Sequence, residues 1–270
     1  MQEPLQTLDR YFWRDGQVGN GIRAVPEETA VALTYNGTTH AVLMATPQDL
    51  EDFAIGFSLS EGIVGSPDEI FSLDIVDLDD GIELRMWVEP ERIERIRARR
   101  RGASPAGAGQ GGVESIAEAL RPAPFVANGR SFSAYEIMDA MRRAALLQKI
   151  NMETRAMHAA AFWTPTRGIV ALREDVGRHN ALDKLAGVLA SNAVNGSRGV
   201  VLLTSRVSIE MVQKTAAIGA SMMVSVSAPT ALAVRMADVA GITLAAIARA
   251  DGFEIFTHPR RVLGQAWRSM

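Results

Sequence analysis

From Ile169 to Ala240 the chain repeats one pattern, a short apolar run followed by an amphipathic one. The apolar runs are Ile169 to Leu172, Gly199 to Leu203 and Met222 to Val226. Runs of about five residues suit strands covered on both faces. After the first come Leu182, Leu185, Val188 and Leu189 at helical spacing. The other two lead into helical stretches, Ser208 to Ala220 and Ala231 to Ala240. Strands alternating with helices predict an α/β layer. Ile242 to Ile247 and Phe253 to Phe256 add two strand-like runs, joined by Arg249-Ala250-Asp251-Gly252.

The first hundred residues read differently. Residues 29–35 alternate in the strand manner, Asn36-Gly37 is a hairpin turn signal, and His40 to Ala45 is the returning strand. Thr46-Pro47 reads as a helix start, with Leu50, Phe53, Ala54 and Phe57 on one face and Gly62 and Gly65 at the end. Ser72 to Leu78 and Ile82 to Val88 form a second hairpin about Asp79-Asp80-Gly81. Residues 1–20 read as an extended arm whose Tyr11, Phe12 and Trp13 are packed or used in an interface. The pattern predicts a small α+β unit over 1–100, a Gly-rich mobile loop and short helix over 101–125, and an α/β domain over 126–270. Glu89 to Arg101 is an arginine-rich helix, read first as a solvated face and second as a basic rim near phosphates. Ser131 to Gln148 reads as one helix, with Ser133 and Glu136 as a capping box.

Polar groups gather where the apolar runs end: Asp175, Arg178, His179 and Asp183, then Ser205 and Arg206, then Ser227 and Thr230. Open α/β sheets bind ligands at the carboxyl ends of their strands, and helix N-termini there favour anions. Together with Lys214 these residues suggest a site for a phosphorylated ligand. For Ser208 and Thr230 singly, helix capping explains the hydroxyl equally well.

Charge and composition exclude several classes. The 270 residues are 47% hydrophobic and 22% charged, with a net charge of −3, which argues against a generic nucleic-acid binder. No apolar run approaches a membrane span and no secretion signal opens the chain. There is no cysteine, so there is no disulfide and no thiolate metal site, which fits a cytoplasmic protein.

DVGRHNALDK (175–184 with its preceding Glu174), TSRVS with EMVQK (204–214) and SAPTALAV (227–234) resemble the FdhD family of formate dehydrogenase accessory proteins. The upstream stretches EETAVALTYNG, MATPQDLEDFAIGF and SEGI are similar as well, in the same order. The resemblance implies a cytidine-deaminase-like mixed sheet flanked by helices, beside a smaller α+β domain. It implies binding of the bis(molybdopterin guanine dinucleotide) molybdenum cofactor, with GDP as a mimic. It also implies partners: a formate dehydrogenase catalytic subunit, a cysteine desulfurase that donates sulfur, and a second copy in a homodimer. The segment Ile247, Ala248, Arg249, Ala250, Asp251, Gly252 aligns with the part associated with the guanine dinucleotide. There Arg249 could pair with phosphate and Asp251 with a guanine edge, while a plain Asp-Gly turn explains the same pair without a ligand.

The chain departs from the family where the family carries sulfur. The positions aligned with the two cysteines of the CGxCG-type loop are Ala108 and Gly111. A persulfide needs a thiolate, and neither residue supplies one. Either this is a natural variant that kept binding and lost transfer, or cysteines were replaced; the untidy loop around them favours the first. His158 stands where the family has a histidine and is placed on the site wall. The zinc deaminase signature is broken, because position 160 is Ala160 and no cysteines follow. No metal site is therefore expected.

Overall fold

The computed structural model describes residues 2–94, 120–127 and 129–264. A hairpin of β1 (Leu5–Arg14) and β2 (Gln17–Pro26) opens the chain. It replaces the expected single arm, because Asp15 and Gly16 both take positive φ, at 50° and 82°. A two-residue hairpin turn with this geometry folds the strand back on itself. A four-stranded sheet follows in the order β4-β3-β6-β5, from β3 (Thr29–Tyr35), β4 (Thr38–Ala45), β5 (Ile70–Leu78) and β6 (Gly81–Val88). Helix α1 (Leu50–Ser60) lies on it, and Val31, Leu33, Phe53, Phe57, Leu84 and Met86 form the core between them.

After β7 (Phe132–Ser133), α2 (Ala134–Ala145) and α3 (Lys149–Thr154), a six-stranded mixed sheet is built. Its members are β8 (His158–Thr164), β9 (Gly168–Asp175), β10 (Val200–Leu203), β11 (Met222–Ser225), β12 (Thr243–Arg249) and β13 (Gly252–Ile255). The order is β13-β12-β11-β10-β8-β9, with β10, β11 and β12 parallel and β8 antiparallel to both of its neighbours. Strand β9 therefore runs in the same direction as the parallel three. The crossovers are α4 (Arg178–Ser191), α5 (Ile209–Ala217) and α6 (Ala231–Val239). Alternate residues feed two cores: Phe162, Val201, Leu203 and Met223 on one face, Trp163, Val200, Leu202 and Val224 on the other. A short parallel pair joins β7 to β14 (Val262–Leu263).

Three local expectations are corrected. The first helix begins at Leu50, not at Thr46-Pro47, because Thr46 is used elsewhere: its N–H donates to Asp175 and its hydroxyl accepts from the N–H of Val176. The helix expected over 131–148 breaks after Ala145, although its capping box forms as read. It resumes as α3, whose first N–H groups, from Ile150 and Asn151, donate to the Glu174 carboxylate at 3.0 and 2.8 Å. A tertiary carboxylate thus supplies the N-terminal cap. Strand β8 lies where the sequence pattern marks no strand. Residues 90–94 are helical, while the rest of the arginine-rich helix, the Gly-rich loop with Ala108 and Gly111, residues 113–119 of the expected short helix, and Arg268 lie outside the described residues. No helix among the described residues is long and apolar enough to cross a membrane.

Candidate functional site

Register places the expected residues along one rim of the six-stranded sheet. His158 pairs with Asp175, Ala160 with Leu203, Leu203 with Ser225, and Val224 with Ala245. The carboxyl ends of β9, β10, β11 and β12 and the amino end of β8 therefore share that rim. Arg178 starts α4 after β9, Arg206 follows β10, and Arg249 ends β12. Four inter-strand steps of about 4.8 Å separate β9 from β12, so the rim extends for about 19 Å.

Part of this set is committed to the interior. Asp175 and Lys184 are both fully buried and pair at 2.7 Å. Asp175 also accepts from the N–H groups of Thr46 and Gly177 and from the Asn180 amide, at 3.0, 2.7 and 3.0 Å. Lys184 completes its shell on the Thr46 carbonyl at 2.9 Å. This node ties the end of β9 to the end of β4, and the glycine at 177 leaves room for it, since a Cβ there would lie 2.7 Å from the Asn180 amide nitrogen. A second node joins three helices. Lys214 on α5 donates to both oxygens of Asp183 on α4, at 2.7 and 2.9 Å, and to Ser60 on α1 at 3.0 Å. Ser60 in turn donates to Asp183 at 2.7 Å. Burial pushes the Asp183 carboxyl up, and Lys214 and Ser60 pull it back.

The expectation that Lys214 contacts phosphate is therefore corrected. Its three protons are taken by Asp183 and Ser60, and none is left for a ligand. Asp175 takes Lys184 as its cation rather than a rim arginine, and Asp183 takes Lys214.

What faces the rim is narrower. The Nε of Arg178 is buried with no hydrogen-bond partner, and no carboxylate of a described residue stands at ion-pair distance from its guanidinium. His158 is half-buried, and its pKa is lowered first by burial and then by Arg178. His179 is lowered to about 4 by burial, with Lys214 and Arg178 adding and Glu210 and Glu61 opposing. Burial, more than the neighbouring cations, holds both imidazoles neutral at this rim, and Arg178 adds to it in each case. Arg206 is exposed on the segment after β10.

The loops after β10 and β11 are laced together. Ser225 donates to the Ser205 carbonyl, Ser227 N–H donates to Ser225 at 3.1 Å, and Val207 bridges to Pro229. Thr230 caps α6 by accepting from the N–H of Ala233 at 3.2 Å, as read; Ser208 stands at the N-cap of α5 without a side-chain capping bond. At the far end, β12 carries a bulge between Ala246 and Arg249, where Ile247 adopts φ +53°. A β-branched residue in the left-handed region is a strained outlier, and such strain concentrates at ligand sites. The N–H of Ile247 is held by the Ser227 carbonyl at 3.2 Å. The bulge turns Arg249 back over the end of β11, where its guanidinium donates to the carbonyls of Val226 and Ala248. Ala250 and Asp251 are exposed. Ser60, Thr46 and Lys184 lie in stretches the sequence singles out, but their part in these buried nodes has no local signal.

Comparison with known proteins places the chain in a family. The chain is 47% identical over 265 residues to a sulfur carrier protein FdhD of Agrobacterium fabrum, covering 97% of this chain and 98% of that protein. It is 49% identical over 257 residues to a sulfur carrier protein FdhD of Cupriavidus necator, covering 94% and 88%. A crystal structure described as a formate dehydrogenase accessory protein from Desulfotalea psychrophila superposes with a TM-score of 0.77 at 25% identity, covering 97% of this chain and all of that one. Residues 26–263 match the family described as FdhD/NarQ. The chain belongs to the FdhD/NarQ family.

Proposed function

We infer that this protein is a formate dehydrogenase accessory protein that binds the bis(molybdopterin guanine dinucleotide) molybdenum cofactor along the rim, without a sulfur-carrying cysteine of its own. The observation that carries the reading is Arg178, whose buried Nε lacks a partner while two neutral histidines flank it. An orphaned buried donor costs free energy unless an acceptor completes it, and a phosphate oxygen does so. Arg178 and Arg206 would hold phosphate. Arg249, braced on Val226 and Ala248, and the bulged segment 247–252 would meet the guanine end. The cofactor's pyrophosphate and guanine groups match a rim of about 19 Å better than a single phosphate does. When bound, the cofactor supplies the molybdenum centre; this chain's residues bind and orient it.

Sulfur transfer by the chain itself would need a thiolate, and none of its 270 residues is cysteine. The alternative, a transferase whose cysteines were replaced, differs only at positions 108 and 111. Calorimetric titration with GDP tests the shared part. Binding that weakens in Arg178→Ala and Arg249→Ala supports the reading, and no heat with the parent protein removes it. Loss of formate dehydrogenase activity in cells lacking this protein is the expected cellular result; unchanged activity would remove the accessory assignment.

The homodimer reading rests on the first hairpin. Tyr11 pairs across to Asn20, Trp13 to Val18 and Asp9 to Ile22, so Tyr11, Trp13, Val18 and Ile22 share one face. Tyr11 is 85% and Trp13 70% exposed. A two-stranded hairpin with an uncovered apolar face is marginal alone, and a second copy would cover it. Sedimentation should show a dimer that Tyr11→Arg with Trp13→Arg converts to monomer; a monomeric parent would end this reading.

A further inference from the structure

The six-stranded sheet has a second polar edge. Strand β8 runs from His158 at the rim to Thr164 at the other end, about 20 Å away at 3.3 Å per residue. There the β8–β9 turn, the segment after α4 and the stretch before β7 line a half-open cavity of about 580 Å3. Three arginines line it: Arg130, Arg167 and Arg198. They come from three separate stretches of chain, so only the fold brings them together.

No described residue lining this cavity carries a carboxylate. None of the three arginines forms an ion pair with a described residue. What distinguishes the three is that they line one hollow, in a chain of net charge −3. Three cations around one hollow attract a multiply charged anion.

Hydrogen bonds link the stretches that frame it. The Arg167 N–H donates to the Thr164 hydroxyl at 3.2 Å, and the Arg130 N–H donates to the Ser197 carbonyl at 3.4 Å. The Ser197 N–H and hydroxyl both donate to Asn195, at 2.9 and 2.8 Å. The volume lies within the range of about 300–1,000 Å3 usual for small-ligand sites. Guanidinium forks match phosphoryl oxygens two at a time, so three forks fit a group with at least two phosphoryl units.

We propose that this cavity is a second anion site, distinct from the rim, that binds a pyrophosphoryl group. The group can arrive as inorganic pyrophosphate or as the diphosphate of a nucleotide. The inference is independent of what the rim binds, since it uses none of the rim residues.

The test is calorimetric titration of the full chain with inorganic pyrophosphate at low ionic strength. The parent protein is compared with Arg130→Ala, Arg167→Ala and Arg198→Ala, and with Arg249→Ala as the rim control. Each cavity variant should weaken binding by about tenfold, the usual loss for one charge-assisted hydrogen bond. The rim control should change it less than twofold. All three cavity positions are exposed, so an unchanged melting temperature verifies that the variants fold. A second arm titrates ADP into Arg249→Ala. ADP binding that the cavity variants weaken assigns a nucleotide source, and pyrophosphate binding without ADP binding assigns the inorganic one. Absence of heat with pyrophosphate, affinity in the three cavity variants equal to that of the parent, or loss in Arg249→Ala would each overturn the proposal.

Discussion

Replacing Gly56 by alanine sets two effects of opposite sign against each other. Gly56 sits inside α1, where alanine ordinarily gains about 1 kcal/mol of helix propensity. A Cβ built on it, however, lies 1.7 Å from the Asp183 carbonyl oxygen, 2.6 Å from that carbonyl carbon and 2.7 Å from the Gly187 nitrogen. Ordinary contact begins near 3.4 Å, so the helices must part by about 3.4 − 1.7 = 1.7 Å. The obstacle is the backbone of α4, which cannot rotate aside as a side chain would. Overpacking of this kind costs about 1–3 kcal/mol. The same separation stretches the 2.7 Å bond from Ser60 to Asp183 beyond hydrogen-bonding range, at about 1–3 kcal/mol for a buried charged acceptor. Setting about 2–6 kcal/mol of loss against about 1 of gain leaves a net destabilisation centred near 3 kcal/mol. Urea unfolding should show a lower midpoint at unchanged slope. Gly187→Ala meets Asp52 O at 1.9 Å and should act in the same direction. One separation relieves both clashes, so the double variant should lose less than the sum. A midpoint for Gly56→Ala at or above the parent, or strict additivity, would refute the close-crossing argument.

Three further outcomes are expected. Lys214→Met leaves the Asp183 carboxylate buried without its cation and should cost about 3–5 kcal/mol in chemical unfolding at neutral pH; a loss below about 1 kcal/mol would show the node to be solvated. His179 titrates near 4 in the folded chain against about 6.5 unfolded, so the unfolded chain takes the proton first as pH falls. Its contribution is full above pH 6.5 and is lost between 6.5 and 4. The shift of about 2.5 units corresponds to about 3.4 kcal/mol unscreened, and to about 1–2 for a half-buried group. His158, lowered in the same direction, adds to the slope, and His179→Gln should flatten the stability profile in that window. Ala193 closes α4 at φ +50°, with Val194 N–H on the Leu189 carbonyl at 2.8 Å, the place where glycine is usual. Ala193→Gly should therefore raise stability by about 0.5–1 kcal/mol, read as a higher melting temperature.

Strands are legible in the sequence either from alternation, as in Thr29–Tyr35, or from runs apolar on both faces, such as Val200–Leu203 and Met222–Ser225, which lie under helices on each side. Strand β8 was hidden because Ala159-Ala160-Ala161 carries little strand preference of its own, and its conformation is imposed by β9 and β10. The turn at Asp15-Gly16 was readable from the same rule that identified Asn36-Gly37. The rim residues were legible because they follow strands. Their commitments were not: Asp175 meets Thr46 across 129 positions and Lys214 meets Ser60 across 154, and no local pattern encodes which cation a helix laid on top will consume.

These commitments bear on what the loss of cysteine means. Asp175, Lys184, Asp183, Lys214 and Ser60 are all buried, and together they fix the end of β9, helix α1 and helix α5 relative to α4. Arg178 lies on the first turn of α4, between the two nodes, so its position is set by contacts that involve no thiol. Binding at the rim and carriage of sulfur are therefore separable in physical terms. The first needs a rigid array of donors and a positive potential, and the second needs a thiolate that this chain does not contain. On the proposed reading, weakening either node should displace Arg178 and weaken GDP binding, whereas placing cysteine at 108 and 111 should leave GDP affinity unchanged. If GDP affinity instead followed the residues at 108 and 111, the loop would be part of the binding surface and the separation argued here would fail.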